Sequence, residues 1–350
     1  MSSHRPQHTR SRGLKPSLVL QERDTAMLRA VAENRFLTTS LVARLFPPDP
    51  ERVPRHAIEA AKTKYLERHP GHVFHPQPGT NVERRLAKLF HHGYLDRLRT
   101  VRGGELVYAL TWKGDHLLAR RRLEAGVDLT PEERERRRRA WAEKNRDLAD
   151  AFIEHTIMVA TFRTALLEAV RQAKTVELVD FQREGDHLRA VWNVPPHTLH
   201  DLCRESHKDP RRMAINPDAF LTLRDERPEP VSFFLEADRS TETTKRLLEK
   251  FVHYARLYAD RRHQDVFGVA SFRVLTVARS SERASNLVWL LAAPGSPIPA
   301  DLRDRFLFTT AQSYADHSTD ILSAIWRAPD QPAESRAIVA SPLPRRGRPQ

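Results

Sequence analysis

At 350 residues the chain exceeds what one ordinary core holds, so about two domains are expected. Hydrophobic residues make up 40% of it and charged residues 29%, and no apolar run approaches the roughly 18 residues of a membrane-spanning helix, which excludes that class. The single cysteine, Cys203, excludes an intramolecular disulfide framework.

The charge is uneven: 30 Lys and Arg face 19 Asp and Glu in residues 1–150, against 28 and 26 in residues 151–350. A basic first half attracts polyanions by neutralising phosphates and releasing counterions, so double-stranded DNA is the expected partner. A membrane surface would instead want an amphipathic basic helix with Trp or Phe on its apolar face, and the most basic stretch here has no such face.

Residues 1–17 are basic and polar without the apolar run of a secretory leader. They are expected to form a disordered arm on a cytoplasmic protein. Leu20, Met27, Leu28 and Val31 then recur at helical spacing, and Thr38 or Thr39 offers an N-cap for a second helix over 40–46. Residues 47–79, rich in Pro and His, form an excursion with one helix around 57–68. Asn81 can cap a third helix in which Val82, Leu86, Leu89 and Phe90 face inward and Arg84, Arg85 and Lys88 outward, with Gly93 as its stop. Two short strands, 94–100 and 105–111, flank a Gly103-Gly104 hairpin, and a further helix runs over 115–124.

The order helix, helix, helix, hairpin, helix, with the phrase GYLDRLR...GGELVYALTWKGDHLL, resembles the winged helix-turn-helix of bacterial DNA binders. The resemblance implies a DNA-binding domain over 18–124. Its third helix would read the major groove with Arg84, Arg85 and Lys88 while Arg102 touches phosphate or the minor groove. A solvated helix face is the alternative.

Residues 125–146 follow as a highly charged linker helix, with Thr130 as N-cap and Pro131 in its first turn. Arg136 to Arg139 are either solvated or further phosphate contacts. From Asp147 the pattern becomes apolar on two helix faces. Strand-like runs come next at 175–181, 219–223 and 231–235, then a helix over 243–260 and a run at 272–278. A crossover helix between strands demands a partly parallel sheet, so 147–330 is expected to be an α/β domain and 331–350 a disordered tail.

Asp218 opens the second of these strands, Glu236 ends the third, and Asp238 shares the face of Glu236 if the strand continues. This arrangement resembles the three-layer α/β fold of the PD-(D/E)xK nucleases. The resemblance implies a catalytic set of Asp218, Glu236 and Asp238, with Mg²⁺ or Mn²⁺ held by Asp218 and Glu236 to activate water and offset phosphate charge. Solvated strand ends are the alternative. The chain departs from the pattern at Asp238, where a lysine is expected. Lys250 falls within about 60° of Leu247 on the core stripe of the next helix, so it points to the sheet and would stand in, pairing with Glu236 or Asp238. A snorkelling lysine at the stripe edge is the other reading.

The whole assembly, with PDAFLTL, FFLEADRSTET and FRVLTVARSSER, resembles the bacterial replication-relaxation family over about residues 20–290. That implies a DNA-acting protein of plasmids or mobile elements, with a second copy or replication proteins as further partners. His155 matches a family histidine, although its place on the apolar stripe suits a core role, and Glu154 could add an acid to the metal site. His197, His200, Cys203 and His207 have zinc-ligand chemistry, but on a helix they would rise along roughly 15 Å, too far for one ion, and a polar loop suits them better. Two functions follow: a Mg²⁺- or Mn²⁺-dependent DNA nicking enzyme, or a non-catalytic replication or transcription regulator with a degenerate nuclease-like domain.

Overall fold

The computed structural model describes residues 17–47, 63, 67, 79–98, 105–122, 130, 132, 135–136, 148–193, 212–240, 242–315 and 317–340. The chain is a mixed α/β protein that divides into two compact units, Met1–Thr164 and Ala165–Gln350.

The first unit opens with α1 (Glu22–Asn34), whose Asp24 carboxylate accepts the Gln21 backbone N–H at 2.8 Å and closes the helix start. Strand β1 (Phe36–Thr38) leads into α2 (Thr39–Leu45), capped by the Thr38 hydroxyl, which accepts Leu41 N–H at 3.3 Å. Helix α3 (Gly79–His91) begins two residues before Asn81 and buries Val82, Leu86, Leu89 and Phe90. It stops where Gly93 turns to φ 77° and the amides of Gly93 and Tyr94 bond back to Phe90 and Leu89, both at 2.9 Å.

Strands β2 (Leu95–Leu98) and β3 (Val107–Leu110) pair antiparallel, with Leu95 opposite Leu110, and β1 adds to the far side of β3. Helix α4 (Trp112–Arg122) starts three residues earlier than its periodicity suggests, because Thr111 caps it: its hydroxyl accepts Gly114 N–H at 3.1 Å and donates to the Gly93 carbonyl at 2.6 Å. Residues from α1, α2, α3, β2, β3 and α4 share one apolar cluster. Burying each of its Leu or Val side chains stabilises the unit by about 1.5–3 kcal/mol.

The division between the units falls within α5 (Asp150–Ala173). In the second unit the strands are β4 (Glu177–Arg183), β5 (Ala190–Asn193), β6 (Arg212–Ile215), β7 (Ala219–Arg224), β8 (Val231–Asp238), β9 (Phe272–Ala278), β10 (Phe306–Thr310), β11 (Trp326–Ala328) and β12 (Gln331–Arg336). Its helices are α6 (Thr244–Ala259), α7 (Arg262–Phe267) and α8 (Ser281–Ala292). The main sheet has seven strands in the order β12-β11-β10-β9-β8-β7-β4. Strands β4, β7 and β8 form an antiparallel meander, and β8, β9 and β10 are parallel, joined by crossovers that carry α6 and α8.

Both crossover helices pack on one face: Leu247, Phe251 and Tyr254 of α6 and Leu287 and Val288 of α8 join Phe234, Val274, Phe306 and Phe308 in one core. Strands β5 and β6 form a separate ribbon that enters the same core, tied to α6 where the His253 Nδ1 lies 2.7 Å from the Ala214 carbonyl.

The sheet is wider than expected. The tail expected from 331 onward is corrected for residues 331–340: β12 pairs with β11, and Ile338 and Val339 are buried. Polar letters hide this strand because backbone pairing and two apolar anchors hold it. The Asp225 carboxylate fastens its end by accepting Ala340 N–H at 2.8 Å, while Arg227 donates to the Ile338 carbonyl at 3.2 Å. The arm at 1–16, nearly all of the linker, the loop with Arg102, the helix around 57–68 apart from residues 63 and 67, and the His197 to His207 group lie outside the described residues.

Gly114 faces two fixed neighbours. A Cβ there would overlap the Tyr94 carbonyl oxygen and come within 2.7 Å of Leu110 Cδ1. Gly114→Ala is therefore expected to lower the stability of the first unit by about 1–3 kcal/mol. Urea denaturation would check this, and an unchanged midpoint would show that β3 and α4 can move apart freely.

Candidate functional site

The outward face expected of α3 is corrected at one position. Arg84 is exposed and Lys88 partly exposed, but Arg85 turns into the unit. Its guanidinium donates through Nε to Asp24 Oδ1 at 2.7 Å, through Nη2 to Asp24 Oδ2, and to the Val19 carbonyl at 3.1 Å. Asp24 is fully buried, and a buried carboxylate demands a partner. The pairing holds the Arg85 pKa above its ordinary value, the Asp24 hydrogen bond being the largest cause. A one-helix wheel cannot see this, because Asp24 lies on a different helix.

The second unit brings together residues that are far apart in the sequence. Ala219 of β7 pairs with Leu235 of β8, so Asp218 stands beside Glu236 in the adjoining strand. The Asp218 amide donates to the Leu235 carbonyl at 3.0 Å, and its Oδ2 accepts Ala237 N–H at 2.7 Å. Glu184, just past β4, donates its amide to the Asp218 carbonyl at 2.9 Å, and a carboxylate oxygen of each lies within 4.8 Å of the other. Glu184, Asp218 and Glu236 thus mark one end of three neighbouring strands.

Glu236 is buried to 3% exposure. Its Oε2 accepts from Lys250 Nζ at 3.2 Å and its Oε1 from the Tyr254 hydroxyl at 2.6 Å. Burial pushes the Glu236 carboxyl up, to about 7, and the Asp218 charge adds to this, while Lys250 and Tyr254 pull the other way. Loss of water alone would lower Lys250, but Glu236, Asp218 and Glu242 outweigh it and hold the ammonium above its ordinary value. Burial and the Glu236 charge push Tyr254 well above its usual range, so it stays a neutral donor.

The strand continues through Asp238, which shares the face of Glu236 but has different partners. Its Oδ2 accepts from Arg283 Nε at 2.8 Å and its Oδ1 from the Ser240 amide at 2.8 Å. Arg283, on α8, also donates to the Thr244 hydroxyl at 2.9 Å. His155 and Glu154 lie partly buried on α5. The roles of Glu184, Glu242, Tyr254 and Arg283 are not legible in the sequence. The first two sit in loops without periodicity, Tyr254 reads as core, and Arg283 ends the run FRVLTVARSSER, whose spacing carries no chemical signature.

The sequence matches the family model for replication-relaxation across residues 28–271, about seven-tenths of the chain. The chain belongs to the replication-relaxation family. No curated protein and no solved structure matches it. The matched span of this replication-relaxation protein includes Asp218, Glu236, Lys250 and Tyr254 and ends before Arg283. No described helix is long and apolar enough to cross a membrane.

Carboxylate oxygens are the donors that a hard divalent cation takes. Asp218 and Glu236 carry carboxylates on adjacent strands, and a cation held by both would relieve the repulsion that helps raise Glu236, displacing partners that both Glu236 oxygens have in this structure. Without metal, the pH dependence of folding has a definite sign. Glu236 sits at about 7 in the fold against an ordinary 4.5, so its stabilising contribution is complete below about pH 4.5 and is lost as pH rises through 7. In EDTA the urea midpoint should fall between pH 5 and 8, and Glu236→Gln should remove most of that fall. Equal pH dependence in both proteins would mean that Glu236 keeps an ordinary pKa.

Proposed function

We propose that this replication-relaxation protein binds double-stranded DNA through its first unit and nicks it with the second, using Mg²⁺ or Mn²⁺. The observation that carries the reading is the convergence of Asp218, Glu236 and Lys250 from two strands and a helix, with the Lys250 ammonium 3.2 Å from Glu236. The meander β4-β7-β8 followed by a helix and parallel β9 supports a PD-(D/E)xK-like core. In it Asp218 and Glu236 would hold the cation, which when bound supplies charge stabilisation for the phosphate and lowers the pKa of water.

Lys250 would keep its positive charge at neutral pH and direct it at the phosphate. Tyr254 orients Glu236, and Asp238 holds the strand end through Arg283. The order of the first unit, α1-β1-α2-α3-β2-β3-α4, with its three-stranded sheet supports a winged helix-turn-helix, and exposed Arg84 with partly exposed Lys88 supplies a cationic face on α3.

A second reading, a non-catalytic replication or transcription regulator, is favoured by one observation: both Glu236 oxygens already have partners in Lys250 and Tyr254. Nicking of supercoiled plasmid decides between them. With Mn²⁺ the full chain should convert supercoiled to open-circular DNA, Asp218→Ala should abolish this, and Lys250→Met should slow it at least about a hundredfold. No nicking by the wild type under Mg²⁺ or Mn²⁺ would leave the regulator.

DNA affinity is a separate measurement. Replacing Arg84 and Lys88 together with Ala should weaken duplex binding and reduce the slope of log affinity against log salt by about two. Because Arg85 is committed to Asp24, its replacement should act through stability instead. An unchanged slope in the double variant would move the DNA surface off α3.

A further inference from the structure

The Lys250 ammonium lies between two carboxylates: 3.2 Å from Glu236 Oε2 and 3.2 Å from Glu242 Oε2. Charge-assisted N–H to carboxylate contacts usually close to about 2.7–2.9 Å. Both contacts are at the long end, so the ammonium is shared between the two acids. Glu236 is buried at the sheet and belongs to the candidate site, whereas Glu242 is half-exposed in the loop between β8 and α6, immediately before the N-cap Thr243.

The described residues of that loop are held from two sides. Ser240 takes a left-handed φ of 60° with its amide on Asp238, and Arg283 bonds Asp238 at 2.8 Å, Thr244 Oγ1 at 2.9 Å and the Glu242 carbonyl at 3.4 Å. Among the described residues, Arg246 also lies 3.8 Å from the Glu242 carboxylate, but it is mostly exposed and so weakly coupled. The backbone of Glu242 is thus set by a buried ion pair, and its carboxylate is presented to Lys250.

We propose that Glu242 is a positioning residue that shares the Lys250 ammonium with Glu236, so that a divalent cation can displace Lys250 from Glu236 Oε2. The proposal rests on the metal-dependent reading of Asp218 and Glu236. Without Glu242, Lys250 would be left to Glu236 alone and would compete more strongly with the cation for Oε2. In this view Asp238 neither holds the cation nor replaces the missing motif lysine. It anchors the loop that delivers Glu242.

The test uses the full chain as wild type, Glu242→Gln, Glu242→Asp, Lys250→Met and the double variant Glu242→Gln/Lys250→Met. Mn²⁺ titration calorimetry should show affinity about tenfold weaker in Glu242→Gln, the size typical of losing a group behind a metal ligand, with little further change when the same substitution is added to Lys250→Met. Glu242→Asp keeps the charge but shortens the reach, so it should weaken binding like Gln. Equal weakening with and without Lys250, or wild-type binding by Glu242→Asp, would make Glu242 a bystander charge and overturn the proposal.

Urea denaturation in EDTA supplies a readout that needs no metal. The two single substitutions should be non-additive in the double variant, and strict additivity would overturn the grip of Glu242 on Lys250. If wild type and Lys250→Met both fail to bind Mn²⁺ while the denaturation cycle is coupled, the metal reading fails and takes the purpose assigned to Glu242 with it, although the contact itself stands. Coupled denaturation with uncoupled Mn²⁺ affinities overturns the positioning role alone.

Discussion

A carboxylate withdrawn from water must be served by cations and donors nearby, and at Glu236 this requirement organises the surrounding structure. The residue lies on β8 between antiparallel β7 and parallel β9, where a side chain has neighbours on both flanks. Asp218 on the β7 side makes the demand sharper by adding like charge. Lys250 and Tyr254, one turn apart on α6, meet it from above. Their spacing of four residues places both on one helix face, so a single helix docking delivers the charge and the neutral donor together. The apolar residues of that face, Leu247 and Phe251, supply the packing that keeps the docking in place.

The first unit has a parallel dependency. Asp24 closes the start of α1 through the Gln21 amide and is fully buried, so it too requires a cation, and α3 supplies Arg85. The pair links the first and third helices across 61 residues of sequence. It also divides the basic residues of α3 by role: Arg85 is spent on the fold, and Arg84 remains at the surface. Removing one partner of such a pair leaves an unpaired buried charge, which costs more than the pair contributes when intact.

Helices with a sustained apolar stripe were legible in the sequence: α1, α3 and α6 lie where periodicity puts them, and Thr38 and Gly93 punctuate them as their chemistry suggests. Strands β7, β8 and β9, as apolar runs, were legible too. Two kinds of feature were not. Strand β1 is three residues long, too short for a period of two to declare itself, and β12 is written in polar letters because its holding forces are backbone bonds and the Asp225 latch. Contacts between elements form the second kind. The angular position of Lys250 pointed to the sheet from one helix alone, whereas the inward turn of Arg85 depends on a partner that no single-helix wheel contains.

The position two residues after Glu236 shows how one side chain distributes work. A lysine there would leave β8 with its charge directed at the same region as Glu236. An aspartate cannot do this, and being nearly buried it needs a cation of its own, which Arg283 provides from the start of α8. Once Arg283 is committed to Asp238, its remaining donors fall on Thr244 and the Glu242 carbonyl, so the loop entering α6 is fixed by the same guanidinium. The cation for Glu236 then has to come from within α6, and Lys250 lies within reach of both Glu236 and Glu242. The acid at 238 and the lysine at 250 are thereby two parts of one arrangement: the first sets the loop, and the loop sets the helix that carries the second.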